Sequence, residues 1–179
     1  MARTWLSITV ELVSGRGEDF WPRSGRVFVA ARSHTFAALA EAINAGFARW
    51  DLSHLSRFDL ADGTTIANTD PFFDAPEDTV EIGTAKLSTL KLGDQFVYTF
   101  DFGDDWHHLC TVGPERVDPE EVYGITPNRP VPYWGWGGLP DQYGRRWADD
   151  NDEGPVPPDP EGRDLPAFFP PWRWRAERP

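Results

Sequence analysis

Between residues 5 and 12 the chain alternates without a break. Trp5, Ser7, Thr9 and Glu11 stand against Leu6, Ile8, Val10 and Leu12, the period of a strand with one buried face. RVFVAA at 26–31 predicts a second strand, joined to the first by the polar SGRGEDFWPRSG, which carries Phe20 and Trp21. The period then lengthens. In TFAALAEAINAGFARW the residues Phe36, Leu39, Ala40, Ile43, Phe47 and Trp50 follow the spacing of one buried helix face. Thr35 is placed to cap that helix, because its hydroxyl can accept an orphan N–H. Gly46 costs about 1 kcal/mol against alanine inside a helix and marks the region where it ends. SHLSRFDL, residues 53–60, predicts a strand running into the turn Ala61-Asp62-Gly63.

Further on, Val80 to Ile82 suits a short strand, while Leu87, Leu90 and Leu92 leave a helical turn and an extended edge both open. Phe96, Tyr98, Phe100 and Phe102 alternate with Val97, Thr99 and Asp101; after Gly103-Asp104-Asp105, Trp106, His108, Cys110 and Val112 alternate with His107, Leu109 and Thr111. Two period-2 runs about a Gly/Asp turn predict a β-hairpin. A three-residue loop sets Phe102 opposite Trp106 and Asp101 opposite His107, and we prefer this register because it pairs opposite charges. A slip of one residue would move every side chain to the other face. The fold class is α+β: a mostly antiparallel or mixed sheet, a helix on one face, and an opening order of strand, strand, helix, strand.

Proline is concentrated in the C-terminal part of the chain. Three of the 17 prolines lie before residue 113 and 14 after it. Proline fixes φ and lacks an N–H, so the second part is expected to wrap the core as loops and short elements, with PYWGWGG as ordered wrapping. The expected organisation is one domain over residues 1–148, a flexible loop over 149–164 and a tail over 165–179 that docks back. The loop, DDNDEGPVPPDPEGRD, holds seven acids and, with Pro166, five prolines, too little apolar surface to offset ordering.

Charge and composition narrow the function. The net charge is −12, which disfavours direct binding to a polyanionic nucleic acid. Arg173, Arg175 and Arg178 are read as a solvated tail. One cysteine excludes an intramolecular disulfide and a Cys-rich zinc site. No signal-like start and no membrane-length apolar run are present, so the expectation is a cytoplasmic protein without membrane contact.

The hairpin is the densest chemistry. Asp101, Asp104, Asp105, His107 and His108, with the distant His54, include enough metal-ligand types. Adjacent strand residues, however, point to opposite faces, and aspartates are at home in turns. We expect a structural turn, no metal and no cofactor. Asp–His pairs can act as base and orienter, but no nucleophile accompanies them; Cys110 reads as a small buried hydrophobe. Trp106, Tyr133, Trp134, Trp136, Tyr143 and Trp147 form an aromatic set that is mostly core, with one or two left for a binding groove.

YTFDFGDDWHH resembles the signature of the plasmid pRiA4b ORF-three-like family, Tyr-x-Tyr/Phe-Asp-Phe-Gly-Asp-x-Trp-x-His. The match falls on Tyr98, Phe100, Asp101, Phe102, Gly103, Asp104, Trp106 and His108. FAALAEAINAGFARWDLSHLSRFDL is similar to the family's helix and following strand, through Leu39, Ile43, Trp50, His54, Leu55 and Phe58. YWGWGGLPDQYG is a weaker match, and the resemblance spans roughly residues 5–145. It implies an α+β fold and transfers no established activity. Some members lie beside transposases. The Trp-Arg-Arg strand usual before the helix is replaced here, and the cysteines common in the family's second half are absent.

Together these readings favour a non-catalytic binding or adaptor domain, with a protein partner and an association with mobile elements. Candidate binding residues are His54, Asp101, Asp104, Trp106, His108, Trp134 and Trp136. The alternatives are a metal-dependent hydrolase on Asp101, Asp104 and His107 or His108, and a DNA-associated accessory factor, which the charge disfavours.

Overall fold

The computed structural model describes residues 4–145; the expected acidic loop and C-terminal tail lie outside them. Strand β1 (Trp5–Gly15) lies between β3 (Gly25–Ala31) and β8 (Trp106–Val112), antiparallel to both. A two-residue strand, β2 (Glu18–Asp19), folds back on the end of β1. The rest of the path is β4 (Ser56–Leu60), β5 (Thr65–Ala67), β6 (Val80–Glu81), β7 (Gln95–Phe100) and β9 (Val131–Trp136). The sheet runs β6-β5-β4-β7-β8-β1-β3-β9. Every named pair is antiparallel except β5–β6. The sheet-dominated α+β class and the opening order stand, with β2 added.

The alternation of β1 carries out its sequence pattern: Leu6, Ile8, Val10 and Leu12 are buried. Helix α1 (Phe36–Gly46) covers that face, and Thr35 Oγ1 accepts from Ala38 N at 3.1 Å as its N-cap. Phe36 meets Phe58 edge-on at 5.1 Å, and Phe47, one residue past the helix, meets His108 at 4.8 Å. Helix and sheet therefore share one apolar core. At Gly46 an added Cβ would come within 2.9 Å of Phe28, so glycine is needed there for close approach; the left-handed residue past the helix end is Ala48, with φ 57°.

The other end of α1 is tied by charge. Arg26, 1% exposed on β3, donates from Nε to the Gly46 carbonyl at 3.2 Å and from Nη1 to the Trp136 carbonyl at 2.8 Å. A cation at a helix C-terminus satisfies carbonyls that have no partner within the helix. The same side chain pins β9 beside β3.

Strand β9 is where the proline-rich half departs from loops. It is an edge strand, and its register shifts between Val27 and Phe28, opposite Trp134 and Pro132. An edge and a bulge are the sheet positions that tolerate a proline. Leu87–Thr89 forms a single 3-10 turn, which decides the open leucine segment. A second short helix, α2 (Pro119–Tyr123), is capped by Asp118.

The hairpin forms, but not in the preferred register. Phe100 faces Trp106, Thr99 faces His107 and Tyr98 faces His108, so residues 101–105 make the connection. Asp101 does not pair with His107, whose Nδ1 lies 3.2 Å from Ser14 Oγ on β1. Local charge complementarity yields to tertiary partners.

Candidate functional site

The five-residue connection is shaped by Asp101. Its φ of 58° is left-handed, a region that Asp enters more readily than most residues. One carboxylate oxygen, Oδ1, accepts from Gly103 N at 2.9 Å and Asp104 N at 3.3 Å. Its N–H donates to the Leu55 carbonyl at 2.8 Å, and its own carbonyl accepts from Asp105 N at 2.7 Å. The residue is buried, 6% exposed. Asp101 is thus a turn cap that also anchors the segment before β4.

Its second oxygen reaches the other motif. His54 Nδ1 lies 3.3 Å from Asp101 Oδ2, and His54 Nε2 lies 2.9 Å from the Tyr143 hydroxyl and 3.6 Å from Asp51 Oδ2. Tyr143 donates to Asp51 Oδ2 at 2.5 Å. The Ser53 hydroxyl and then Tyr143 hold the Asp51 carboxyl far below the usual carboxylate range. The bond to Asp51 in turn pushes the Tyr143 phenol up to about 12. The result is a chain Asp51–Tyr143–His54–Asp101 that runs from the surface to the buried Asp101.

A strap from the far end of the described chain holds this loop. Gln142, fully buried, accepts at Oε1 from the N–H groups of Trp50 (2.8 Å) and Asp51 (3.0 Å) and donates to the Asp51 carbonyl (2.9 Å). Asp141 accepts from Trp50 Nε1 at 3.2 Å and is bridged by Arg145 at 3.0 Å. The Arg145 guanidinium sits 4.4 Å from the Trp50 ring, a cation–π contact. Neither Asp51 nor Gln142 is among the sequence candidates. The signal was present as PDQYG in the weaker matching segment, but isolated polar residues in a loop carry no periodicity.

Behind the chain of polar groups opens a groove of about 580 Å³. Ala37, Ala40 and Ala45 of α1 with Leu52, Ile82 and Phe100 form apolar walls, and Asn44, Arg49, His54 and Ser56 line its polar end; Glu41, Asn68 and Arg129 line it as well. Beneath lies the Tyr98 hydroxyl, which donates to Asn44 Oδ1 at 3.0 Å.

The other candidates separate into two places. Trp106 (1% exposed) and His108 (0%) lie in the core under this end of the groove. Burial, and then the nearby Arg49 charge, hold the His108 imidazole neutral with its pKa down to about 3. Its Nδ1 lies 3.2 Å from the Tyr98 carbonyl. Asp104 stands half-exposed in the hairpin connection. Trp134 and Trp136, by contrast, are partly exposed on the edge strand β9. Trp136 donates to the Arg23 carbonyl at 2.9 Å. Among the described residues no three His, Cys, Asp or Glu side chains gather as a metal site. His107 and His108 diverge to opposite faces, as strand geometry requires.

Cys110 is fully buried and its thiol is pushed far above the ordinary range by that burial. We expect a thiol reagent to modify it only through global unfolding. Labelling followed against denaturant should track the unfolding population; rapid labelling of the native protein would contradict the placement.

The model of the plasmid pRiA4b ORF-3-like protein family matches residues 8–130. The chain belongs to that family. The matched range takes in α1, the His54 segment and the whole hairpin, so the polar chain and the groove are largely built from the family domain, with the Asp141–Arg145 strap added beyond it. No curated protein matches this family member. A crystal structure of a protein of unknown function from Methanosarcina mazei is similar at 21% identity and a TM-score of 0.49. The match covers 72% of this chain and 61% of that one. No helix among the described residues is long and apolar enough to cross a membrane.

Proposed function

We propose that this plasmid pRiA4b ORF-3-like protein is a non-catalytic binding domain acting in the cytoplasm, and that the groove beside α1 receives a peptide segment of a protein partner. The observation that carries this reading is convergence. His54 from the helix-and-strand motif and Asp101 from the hairpin motif meet at 3.3 Å at the polar end of the groove. The groove has the usual size of a ligand site, and its lining joins apolar walls to polar and charged groups. Its apolar walls suit side chains of an amphipathic or extended segment. Two groups that covalent chemistry could use are unsuited to it: Cys110 is a buried neutral thiol and His108 a buried neutral imidazole.

A metal-dependent hydrolase centred on the hairpin is disfavoured by the divergence of His107 and His108. The test of the binding reading is a ligand-observed NMR screen of a short-peptide library against wild type and Ala45→Arg. Ala45 is exposed on α1, so the substitution fills the groove without touching the core. Peptides bound by wild type and lost by Ala45→Arg are expected. Binding unaffected by Ala45→Arg, or no binding at all, would overturn the assignment.

A further inference from the structure

Arg49 follows α1 and is 4% exposed. Its backbone N–H donates to the Asn44 carbonyl at 2.8 Å, which fixes where the side chain starts. The guanidinium carbon lies 3.6 Å from the centroid of the Trp106 ring. Stacking of this kind occupies the flat face of the group and leaves its in-plane N–H donors unused. Among the described residues, Nε, Nη1 and Nη2 are all buried without a hydrogen-bond partner.

Nearby acids do not supply one. Asp141 and Asp104 attract Arg49 through space, but Asp141 is bridged by Arg145 at 3.0 Å and neither bonds the Arg49 guanidinium. Burial lowers the Arg49 pKa to about 10, so it is still a cation near neutral pH. A buried cation with all its donors idle is a costly arrangement that protein interiors normally resolve with a partner. Arg49 also lines the groove, together with Asn44, Ser56 and His54; Arg129 lines it too.

We propose that the Arg49 end of the groove is an oxyanion subsite, which takes a carboxylate or phosphate group of the bound segment on the in-plane edge of the guanidinium. This deepens the binding reading and rests on it. Planar two-point recognition of an oxyanion is what a guanidinium held flat on an aromatic ring is shaped to do. Asn44 and Ser56 are the neutral polar groups that line the same end. Selectivity for a single anionic group fits a chain whose net charge is −12, because one buried cation does not attract an extended polyanion.

The experiment titrates inorganic phosphate and, separately, acetate into the full chain at constant ionic strength set with sodium chloride. The readouts are the guanidinium Nε–Hε resonance of Arg49, assigned with Arg49→Lys, and the melting temperature of wild type and Arg49→Met. A saturable movement of the Arg49 resonance is expected with at least one anion, with a saturable rise in melting temperature that Arg49→Met lacks. Response to phosphate alone assigns a phosphoryl ligand; response to acetate alone assigns a carboxylate. An Arg49 resonance unmoved by both anions overturns the subsite, as does a thermal gain that Arg49→Met keeps. Should Arg49→Met not fold, the wild-type resonance decides. Peptides that bind in an Ala45→Arg-sensitive way while the Arg49 resonance stays still would remove the subsite and leave the groove; absence of both removes both.

Discussion

Trp106→Ala is expected to cost about 3–5 kcal/mol of folding stability, the range for deleting a large buried aromatic. The indole is 1% exposed. It stacks on Phe20 with centroids 6.1 Å apart and carries the Arg49 guanidinium on its ring. Strand β1 approaches so closely that a Cβ at Gly15 would fall 2.1 Å from the ring. Alanine would leave a void bordered by a buried cation that has lost its aromatic face, so both a cavity and a desolvated charge enter the cost. Trp106→Phe should lose less, because the indole Nε1 has no hydrogen-bond partner among the described residues. Urea unfolding of the three proteins at pH 7.5 checks this; a loss below about 1 kcal/mol for Trp106→Ala would contradict the packing.

Acid should weaken the fold well before the carboxylates protonate, and His108 should be the largest single cause. The imidazole is fully buried, and its pKa in the fold is near 3 against an ordinary 6.5. Below pH 6.5 the unfolded chain binds a proton there that the folded protein refuses, so stability rises with pH through this window and falls toward acid. Between pH 7 and pH 5 the loss from this one group is about 2 kcal/mol. His34, half-buried, is shifted the same way by burial and adds to it. The lowered carboxyls of Asp51, Asp62 and Glu81 act further down, their contribution being lost as pH falls from the ordinary carboxylate range toward their lower folded values. Comparing unfolding midpoints of wild type and His108→Gln at the two pH values isolates the contribution. The variant should lose most of the pH slope; an unchanged slope would mean that His108 is not buried neutral.

Much of the scaffold is readable from side-chain period. The alternation of Leu6 to Leu12 and the helical spacing from Phe36 to Ile43 each reflect a single buried face, and Thr35 caps as its chemistry suggests. The hairpin's existence is legible for the same reason. Its register is not, because the connection is decided by the left-handed Asp101 and by Leu55 and His54, residues far away in the chain. Trp50 shows another limit: it keeps the helical spacing but lies beyond Gly46, 42% exposed, held by the Asp141–Arg145 strap. Within the site, His54 and Asp101 are visible as motif residues. Arg49 and Gln142 are not, since the importance of a buried polar side chain depends on which partners the fold brings or withholds.

That the two motifs form one unit is tested most directly by a double-mutant cycle on His54→Ala and Asp101→Ala, with stability measured by urea unfolding at pH 6. His54 and Asp101 lie 3.3 Å apart, with the Asp101 side chain 9% exposed, so the two substitutions should not add. A coupling of about 0.5–1 kcal/mol is predicted, within the range for contacting polar pairs. Additivity within about 0.3 kcal/mol would mean that the helix-end segment and the hairpin are separate features that happen to lie side by side.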